Sequence, residues 1–269
     1  MRLEVHALAS GSSGNAVLIK ADGRAILIDA GLSGRLLMGG LRARGIGAGC
    51  LDAILLTHEH DDHLRGCSIV SERTGCAVVA NRATLDAASY RAATQRELEL
   101  ETGGQLRIGA FTVQSFAVSH DAAEPVGYVV EVGGSRIAYA TDTGRSTRGL
   151  REALRGANLC ILESNHDLGW LLRGPYPPLM KLRVASDRGH LSNGDAAAIL
   201  AERLEECGPT TIWLAHLSKV NNSPALARKF AMEAISSQTR IPFHLQVALR
   251  DRPSVTWTPG SQPLQPSLF

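Results

Sequence analysis

The chain has 269 residues, of which 44% are hydrophobic and 20% are charged, so it can bury the core of one large domain or two small ones. Its formal net charge of only +2 excludes the strong overall field that draws many proteins to nucleic acids or membranes. Any basic binding surface must therefore be local.

Apolar runs in the sequence are short. No segment approaches the roughly 20 apolar residues that a membrane helix needs. The opening segment, MRLEVHALAS, contains no apolar run of signal-peptide length. We therefore expect a cytoplasmic protein that does not bind membranes.

The five cysteines are scattered and form no CxxC pair. An odd, dispersed set argues against both a disulfide framework and a thiolate zinc site. We expect buried free thiols at all five positions, Cys50, Cys67, Cys76, Cys160 and Cys207.

Predicted strands and helices are mixed in the first part of the chain. Apolar and β-branched segments separated by glycine turns indicate strands, and the DG turn at residues 22–23 joins two of them in a hairpin. Segments with apolar residues at helical spacing indicate helices. In chain order, the predicted elements are strands at 3–9, 15–20 and 25–31, a helix at 33–45, a buried strand at 51–58 and a long helix at 82–100.

The same order of elements recurs further along the chain. This internal duplication places Asp29 and Asp142 at equivalent strand ends and sets His166 opposite His60. Because few residues are identical, a chance match of two hairpin-and-helix units is the alternative. The recurring elements are strands at 126–132 and 135–144, a helix at 146–157 and a strand at 158–167.

A true duplication predicts a particular α/β fold. Two sheets would pack face to face with helices outside, which gives a four-layer αββα sandwich in one domain at residues 1–258. The strand ends of both halves would then meet along one edge. Polar side chains that follow the strands would gather there.

The densest cluster of titratable side chains, THEHDDH, directly follows the apolar run LDAILL. His58 and His60 are two residues apart, so on extended backbone they point the same way, and Asp62 and His63 follow in a predicted loop that leads into a helix. Imidazole nitrogen and carboxylate oxygen are ligands that Zn²⁺ prefers, and carboxylate also suits Mn²⁺. A solvated polar loop is the alternative, but so dense a set after a buried strand favours a metal site.

Three further candidate ligands stand at the ends of later apolar runs: His120, Asp142 and His216. Each by itself would be an ordinary polar residue at a strand end. Together with THEHDDH, they form a set that resembles the metallo-β-lactamase superfamily, and the resemblance covers nearly the whole chain. In that family the fold is the αββα sandwich expected above.

The resemblance implies two divalent metal ions, Zn²⁺ or Mn²⁺. It also implies a second layer of residues that orients the metal ligands. The implied roles are His58, His60 and His120 on one metal, Asp62, His63 and His216 on the other, Asp142 bridging both, and Asp29 and His166 in the second layer.

Several short motifs narrow the resemblance to the YycJ/WalJ branch of the superfamily, whose members are regarded as DNA exonucleases acting 5′ to 3′. The chain has no β-CASP insertion of the ribonuclease J kind and no flexible arm of the ribonuclease Z kind, which argues against RNA processing. We therefore expect single-stranded DNA, or another nucleic acid, as the substrate. The motifs are ASGSSGN, THEHDDH, SHDA, TDTG, ESNHD, GHLSN and HLSKVNN.

The resemblance also implies a mechanism, in which a water between two metals loses its proton near neutral pH and attacks a phosphodiester in line. We count Asp62, His190 and Glu163 as the catalytic residues. His190, held by Glu163, is the candidate general acid for the leaving oxygen. The alternative is that His190 caps the following helix, although Ser192 or Asn193 already supplies that cap.

A loop rich in serine and glycine follows the first predicted strand. Glycines let backbone N–H groups approach a phosphate, and hydroxyls add donors; a flexible turn is the alternative. The candidate substrate-binding residues are Ser10, Ser12, Ser13 and Asn15 in this loop, with Lys219, Asn221 and Asn222 just beyond His216.

Cations and aromatic residues are interleaved between residues 170 and 188. This combination suits a single-stranded nucleic acid, whose bases stack while its phosphates pair with cations. A solvated surface loop is the alternative. The residues are Trp170, Arg173, Tyr176, Lys181, Arg183 and Arg188.

Residues 259–269 contain three prolines, no charge and no periodic apolar face, so we expect a flexible tail. Its end resembles the Q-x-[SD]-L-F peptide by which bacterial polymerases and repair proteins bind the DNA sliding clamp. Gln265, Leu268 and Phe269 would make those contacts. The alternative is that the apolar end folds back into a surface groove or has no role.

Two other functions compete with a nuclease. A small-molecule hydrolase acting on a lactone, a thioester or a cyclic phosphodiester would use the same fold. A non-catalytic binding module is disfavoured because every ligand position is filled.

Overall fold

Two mixed β-sheets pack face to face at the centre of the molecule. The computed structural model describes residues 1–88 and 96–260, and within these ranges each sheet has seven strands. The first sheet contains β1 (Leu3–Ala9), β2 (Ala16–Ala21), β3 (Arg24–Ile28), β4 (Leu51–Leu55), β5 (Ala77–Ala80), β6 (Glu97–Glu99) and, beside β1, β14 (Thr256–Trp257). The second contains β7 (Gln105–Ile108), β8 (Phe111–Ala117), β9 (Val126–Val132), β10 (Ser135–Ala140), β11 (Leu159–Glu163), β12 (Thr210–Ala215) and β13 (Phe243–Val247).

Both sheets repeat one pattern of strand pairing. In the first, β1, β2 and β3 are antiparallel neighbours, and β3 to β6 run parallel. In the second, β8, β9 and β10 are antiparallel, and β10 to β13 run parallel. The predicted order of elements therefore recurs in both sheets, and Asp29 and Asp142 follow the equivalent strands β3 and β10.

Helices cover the outer faces of both sheets, so the predicted αββα sandwich in a single domain is confirmed. Side chains of α1, α3 and α4 pack on the first sheet, and those of α5, α8 and α9 pack on the second. The helices are α1 (Gly34–Arg42), α2 (Asp61–Leu64), α3 (Cys67–Thr74), α4 (Arg82–Ala88), α5 (Arg148–Leu154), α6 (Leu168–Arg173), α7 (Pro178–Val184), α8 (Asn193–Cys207) and α9 (Pro224–Gln238).

Apolar side chains from both sheets fill the space between them. Ile28, Tyr128 and Trp213 belong to this central cluster and are almost completely buried. Strand β12 is buried along its whole length, because parallel strands in the middle of a sheet are covered on both faces. This burial explains why its sequence, TTIWLA, does not alternate between polar and apolar residues.

The long helix predicted at 82–100 is wrong in its last part. Helix α4 is described over Arg82–Ala88, and Glu97–Glu99 forms an edge strand parallel to β5. The glutamates of ELE are more exposed than Leu98, which packs against the core, and this alternation is typical of a strand. Residues 89–95 lie outside the described residues.

Two other local predictions need correction. Asp62 and His63 do not lie in a loop before a helix, because both are within α2. Cys50 and Cys207 are only partly buried, whereas Cys67, Cys76 and Cys160 are buried as expected.

The C-terminal tail lies almost entirely outside the described residues. Trp257 pairs with Val5, which attaches β14 to the first sheet. Gln265, Leu268 and Phe269 are not among the described residues. Across the described part of the chain, no helix combines the length and the apolar character needed to cross a bilayer.

Candidate metal centre and active site

Histidine and carboxylate side chains gather where the strands of both sheets end. His58 and His60 follow β4, His120 follows β8, Asp142 follows β10 and His216 follows β12. The carboxyl ends of parallel strands lie at one edge of a sheet, and open α/β folds bind their ligands at that edge. The strand ends therefore bring together residues that are far apart in the sequence.

Three of these strand ends have an unusual backbone conformation. Asp29, Asp142 and His216 have φ angles of 60°, 55° and 54°. These values lie in the left-handed region, which residues other than glycine seldom adopt. Such residues cluster at functional sites because the surrounding structure must hold them there. In each case the chain turns sharply as it leaves the strand.

One group of ligand atoms comes from three histidines. His58 Nε2 and His60 Nδ1 are 3.1 Å apart, and the His120 ring centroid lies 5.2 Å from each of the other two. One nitrogen of each residue lies within 4.8 Å of the others. This arrangement can hold a metal ion, and it unites the residues predicted for the first metal.

A second group contains Asp62, His63 and His216. Asp62 Oδ2 lies 3.6 Å from Nε2 of each histidine, and the three residues also offer ligand atoms within 4.8 Å of one another. This group unites the residues predicted for the second metal.

Asp142 lies between the two groups. Its Oδ2 is 3.2 Å from His63 Nε2, and its Oδ1 is 3.8 Å from His120 Nε2 and 3.4 Å from His216 Nδ1. A single carboxylate therefore reaches histidines of both groups. This is the position that a bridging ligand requires.

Although Asp142 Oδ2 lies 3.2 Å from His63 Nε2, that contact lacks hydrogen-bond geometry. Two buried atoms of the cluster, Asp142 Oδ2 and His216 Nε2, therefore have no hydrogen-bond partner among the described residues. Buried polar atoms are almost always paired, because leaving one unpaired costs about 1–3 kcal/mol. A divalent cation would satisfy both atoms. The donor set of imidazole nitrogens and carboxylate oxygens suits such a cation.

Asp29 orients one of these histidines from behind. Its Oδ2 accepts a hydrogen bond from His63 Nδ1 at 2.8 Å, and its Oδ1 accepts the Thr57 N–H at 2.9 Å. Burial alone would lower the pKa of His63, but Asp29, Asp142 and Asp62 raise it well above its usual value. The contact leaves His63 Nε2 facing the cluster, as the predicted second-layer role requires.

Glu163 orients two histidines at once. Its Oε1 accepts hydrogen bonds from Nδ1 of His190 and of His216, both at 2.8 Å, and its Oε2 accepts the Thr143 and Leu191 N–H groups. Burial alone would raise the pKa of Glu163, but the charge and hydrogen bonds of the two histidines lower it to about 2. The carboxylate therefore stays ionised and holds both rings.

His190 is positioned beside the cluster and does not cap α8. Ser192 is the N-cap, in a capping box with Asp195. Burial alone would lower the pKa of His190, but Glu163 and Asp142 raise it. The ring is partly exposed, and Glu163 engages only Nδ1, so Nε2 is the nitrogen that can meet a substrate.

Sequence reasoning did not single out Thr57 or Asp121. The Thr57 hydroxyl lies within 3.2 Å of Asp29, His58 and His63. Asp121 Oδ1 lies 3.3 Å from His120 Nε2. Both residues adjoin a predicted ligand in the sequence, and that adjacency was the available signal.

His166, predicted for the second layer, lies apart from the two ligand groups. His166 is buried, belongs to neither ligand group, and its Nδ1 has no hydrogen-bond partner among the described residues. The second-layer role predicted for it therefore has no supporting contact. Its backbone pairs with Ser192.

The predicted substrate-binding residues fall into two sets. Ser12, Ser13 and Lys219 are exposed. Ser10, Asn15, Asn221 and Asn222 are buried. Three of them bond to other segments: Ser10 accepts the His216 N–H, Asn15 donates to the Asp62 carbonyl and Asn222 donates to the Ser164 carbonyl. These bonds connect the loops that surround the cluster.

This combination of an αββα sandwich and a histidine–carboxylate cluster at its strand ends defines a metal-binding hydrolase of the metallo-β-lactamase fold. A family model for the beta-lactamase superfamily domain matches residues 24–217. The metallo-beta-lactamase fold protein YhfI from Bacillus subtilis superposes with a TM-score of 0.73 at 17% identity, covering 96% of this chain and all of that one. Human tRNase Z, short form, superposes with a TM-score of 0.62 at 17% identity, covering 94% of this chain and 98% of that one.

Two relatives are considerably closer in sequence. The exodeoxyribonuclease YycJ of Bacillus anthracis is 35% identical over 241 residues, which cover 88% of this chain and 91% of the relative. The exodeoxyribonuclease WalJ of Streptococcus pneumoniae is 36% identical over 227 residues, covering 82% and 83% of the two chains. The chain therefore belongs to the metallo-β-lactamase superfamily, in its YycJ/WalJ branch.

Glu163→Gln is expected to lower the affinity for divalent metal by roughly 10- to 100-fold. A glutamine amide has one acceptor oxygen and one NH₂ group, so it cannot accept hydrogen bonds from both histidines and both backbone N–H groups. Either the NH₂ group would face a donor, or the His216 proton would have to move from Nδ1 to Nε2, which faces Asp62. Metal titration by calorimetry measures the effect. The control is Glu152→Gln, which changes an exposed glutamate paired with Arg148; equal affinities in all three proteins would contradict the orienting role.

Proposed function

We propose that the protein is a metal-dependent exonuclease that degrades single-stranded DNA from 5′ to 3′ during repair or replication in the cytoplasm. The named activity of YycJ and WalJ supports this reaction, because the chain matches both over most of their length. The observation that carries the proposal is the position of Asp142 between two groups of ligand atoms, with His190 beside it. Two metals held close together are suited to phosphodiester hydrolysis.

Each metal site is assigned to residues that already lie together. His58, His60 and His120 would hold one ion, Asp62, His63 and His216 the other, with Asp142 shared, and the ions would be Zn²⁺ or Mn²⁺. When bound, such ions act as Lewis acids that make water nucleophilic near neutral pH and neutralise charge on phosphoryl oxygens.

The remaining requirement of the reaction is a proton for the leaving oxygen. Glu163 keeps His190 protonated at Nδ1 and raises its pKa against the effect of burial. His190 Nε2 can then donate to the alkoxide as the bond breaks. Glu163 acts through His190 and is a positioning residue.

A panel of substrates tests the proposal. The metal-loaded protein is incubated with single-stranded DNA labelled at the 5′ or the 3′ end, duplex DNA, RNA and a set of lactones. We expect the 5′ label to appear at once in mononucleotides and the 3′ label to remain in progressively shorter strands. Turnover of a lactone without any cleavage of DNA would replace the proposal with a small-molecule hydrolase.

We further expect the C-terminal residues to recruit the enzyme to a DNA sliding clamp. Gln265, Leu268 and Phe269 lie outside the described residues, so the expectation depends on the sequence motif alone, in which two apolar side chains fill a pocket. Titration of the cognate clamp should show binding by the wild type and none by Leu268→Ala/Phe269→Ala, while both proteins cleave free DNA equally. Equal binding, or none by either protein, would eliminate the tail as a clamp ligand.

A further inference from the structure

Residues 168–184, here called the apolar arm, expose an unusual amount of apolar surface. The arm consists of α6, the connection at residues 174–177 and α7. Among the described helices, only α7 has no buried side chain. Its Leu179 and Leu182 are 81% and 70% exposed, and Leu172 of α6 is 60% exposed.

Polar contacts fix the arm in place despite this exposure. Lys181 Nζ donates to the Leu172 carbonyl at 2.7 Å, which ties α7 to α6, and Arg183 Nε pairs with Asp121 Oδ2 at 2.6 Å. Pro178 at the start of α7 also restricts its backbone. A helix as short as α7 is unstable alone. The anchoring contacts therefore hold it in place and preform the apolar surface for a binding partner.

The arm adjoins the candidate active site directly. The Val184 carbonyl accepts the His190 N–H at 2.9 Å. Asp121, which anchors Arg183, lies 3.3 Å from His120 Nε2. The C-terminal end of the arm therefore lies beside residues of the cluster.

The charge of the arm indicates the chemistry of its occupant. Residues 168–184 contain three cations and no acidic residue. No carboxylate in the described ranges forms an ion pair with Arg173 or Lys181, whereas Arg183 pairs with Asp121. An apolar surface with unpaired cations fits a polyanion that has apolar faces.

We infer that the apolar arm is a platform for the unpaired bases of the DNA strand being degraded, an inference that rests on the proposed nuclease function. Trp170 stacks on a base, leucine side chains contact neighbouring bases, and Arg173 and Lys181 pair with phosphates. In a duplex the base faces are already stacked, so the platform favours a single strand. A second copy of the chain fits less well, because a two-fold contact would bring the cations of both arms together.

Binding measurements with two oligonucleotides test the platform. The arm variant is Leu179→Ser/Leu182→Ser, and the matched control is Leu36→Ser/Ile69→Ser, which changes two exposed aliphatic side chains on α1 and α3. All proteins carry His190→Ala to slow cleavage and are loaded with metal. Fluorescence anisotropy gives Kd for an oligothymidylate of about 20 nucleotides and for an abasic strand of equal length and charge.

We expect the arm variant to bind oligothymidylate roughly tenfold more weakly than the control. On the abasic strand the two proteins should bind alike, because only base contacts are lost. With His190 intact, both should hydrolyse a small aryl phosphodiester at the wild-type rate, which reports an undisturbed metal centre.

Three results would overturn the inference. Equal affinity of both variants for oligothymidylate, or an equal loss on the abasic strand, would remove base contact as the role of the arm. A wild-type dimer that becomes a monomer in the arm variant, measured by light scattering, would make the arm a self-association surface. If the wild type neither binds nor cleaves DNA, the proposed function itself fails. If the wild type cleaves DNA and the arm variant keeps its affinity for oligothymidylate, only the platform is refuted.

Discussion

Asp142→Ala is expected to abolish hydrolysis and to reduce the metal content of the purified protein. The Asp142 carboxylate lies within 3.8 Å of histidine nitrogens from both ligand groups. Without it, the histidines lose the negative charge that lets them approach one another, and a shared metal ligand is missing. His60→Ala should have a similar effect through the first group alone. Turnover on labelled single-stranded DNA and metal analysis by mass spectrometry measure both consequences.

Asp61→Ala is the matched control for this prediction. Asp61 immediately precedes Asp62, yet its side chain is 52% exposed and pairs with Arg65. We expect nearly wild-type turnover and metal content, because an exposed ion pair contributes little. Undiminished turnover in Asp142→Ala or His60→Ala, with metal still bound, would contradict the two-metal mechanism.

His190→Ala is expected to reduce turnover of DNA by roughly a hundredfold or more while the metals remain bound. The variant removes the ring that Glu163 holds beside the cluster, and the DNA leaving group is a poor one that needs a proton. An aryl phosphodiester has a good leaving group, so its hydrolysis should be almost unaffected. The ratio of the two rates separates proton donation from positioning.

His244→Ala serves as the control for loss of a histidine, because His244 lies on β13 and belongs to neither ligand group. It should leave both rates unchanged. Equal losses on DNA and on the aryl substrate in His190→Ala would identify His190 as a residue that positions the substrate or supports the loop.

The sequence by itself identified the candidate metal-binding segment and the repeated order of elements. THEHDDH places four candidate ligands within seven residues, so their proximity follows from covalent spacing. The elements around Asp29 and Asp142 could be matched because hairpins and strand ends are signalled by local patterns of glycine and apolar residues. Taken as a true duplication, those local patterns predict the αββα sandwich, and the resemblance to the metallo-β-lactamase superfamily implies the same fold.

Where the sequence was misleading, a distant contact decided the outcome. Glu97–Glu99 has the composition of a helix but pairs with β5 as an edge strand. Likewise, the polar loops that contain Ser10 and Asn222 give no sign that both side chains are buried and form hydrogen bonds to other segments. Propensity within a segment cannot report such partners.

Only the tertiary structure decided how the candidate site is held together. The family resemblance implied that Glu163 holds His190, but the second contact of Glu163, with His216 at 53 residues away in the sequence, was not predicted, because no spacing rule relates positions on different elements. The exposure of the apolar arm is likewise a property of what packs against it, since a leucine has the same sequence signature in a core and on a surface. Local patterns fix which side chains stand at strand ends, and the pairing and packing of the two sheets fix which of those side chains meet.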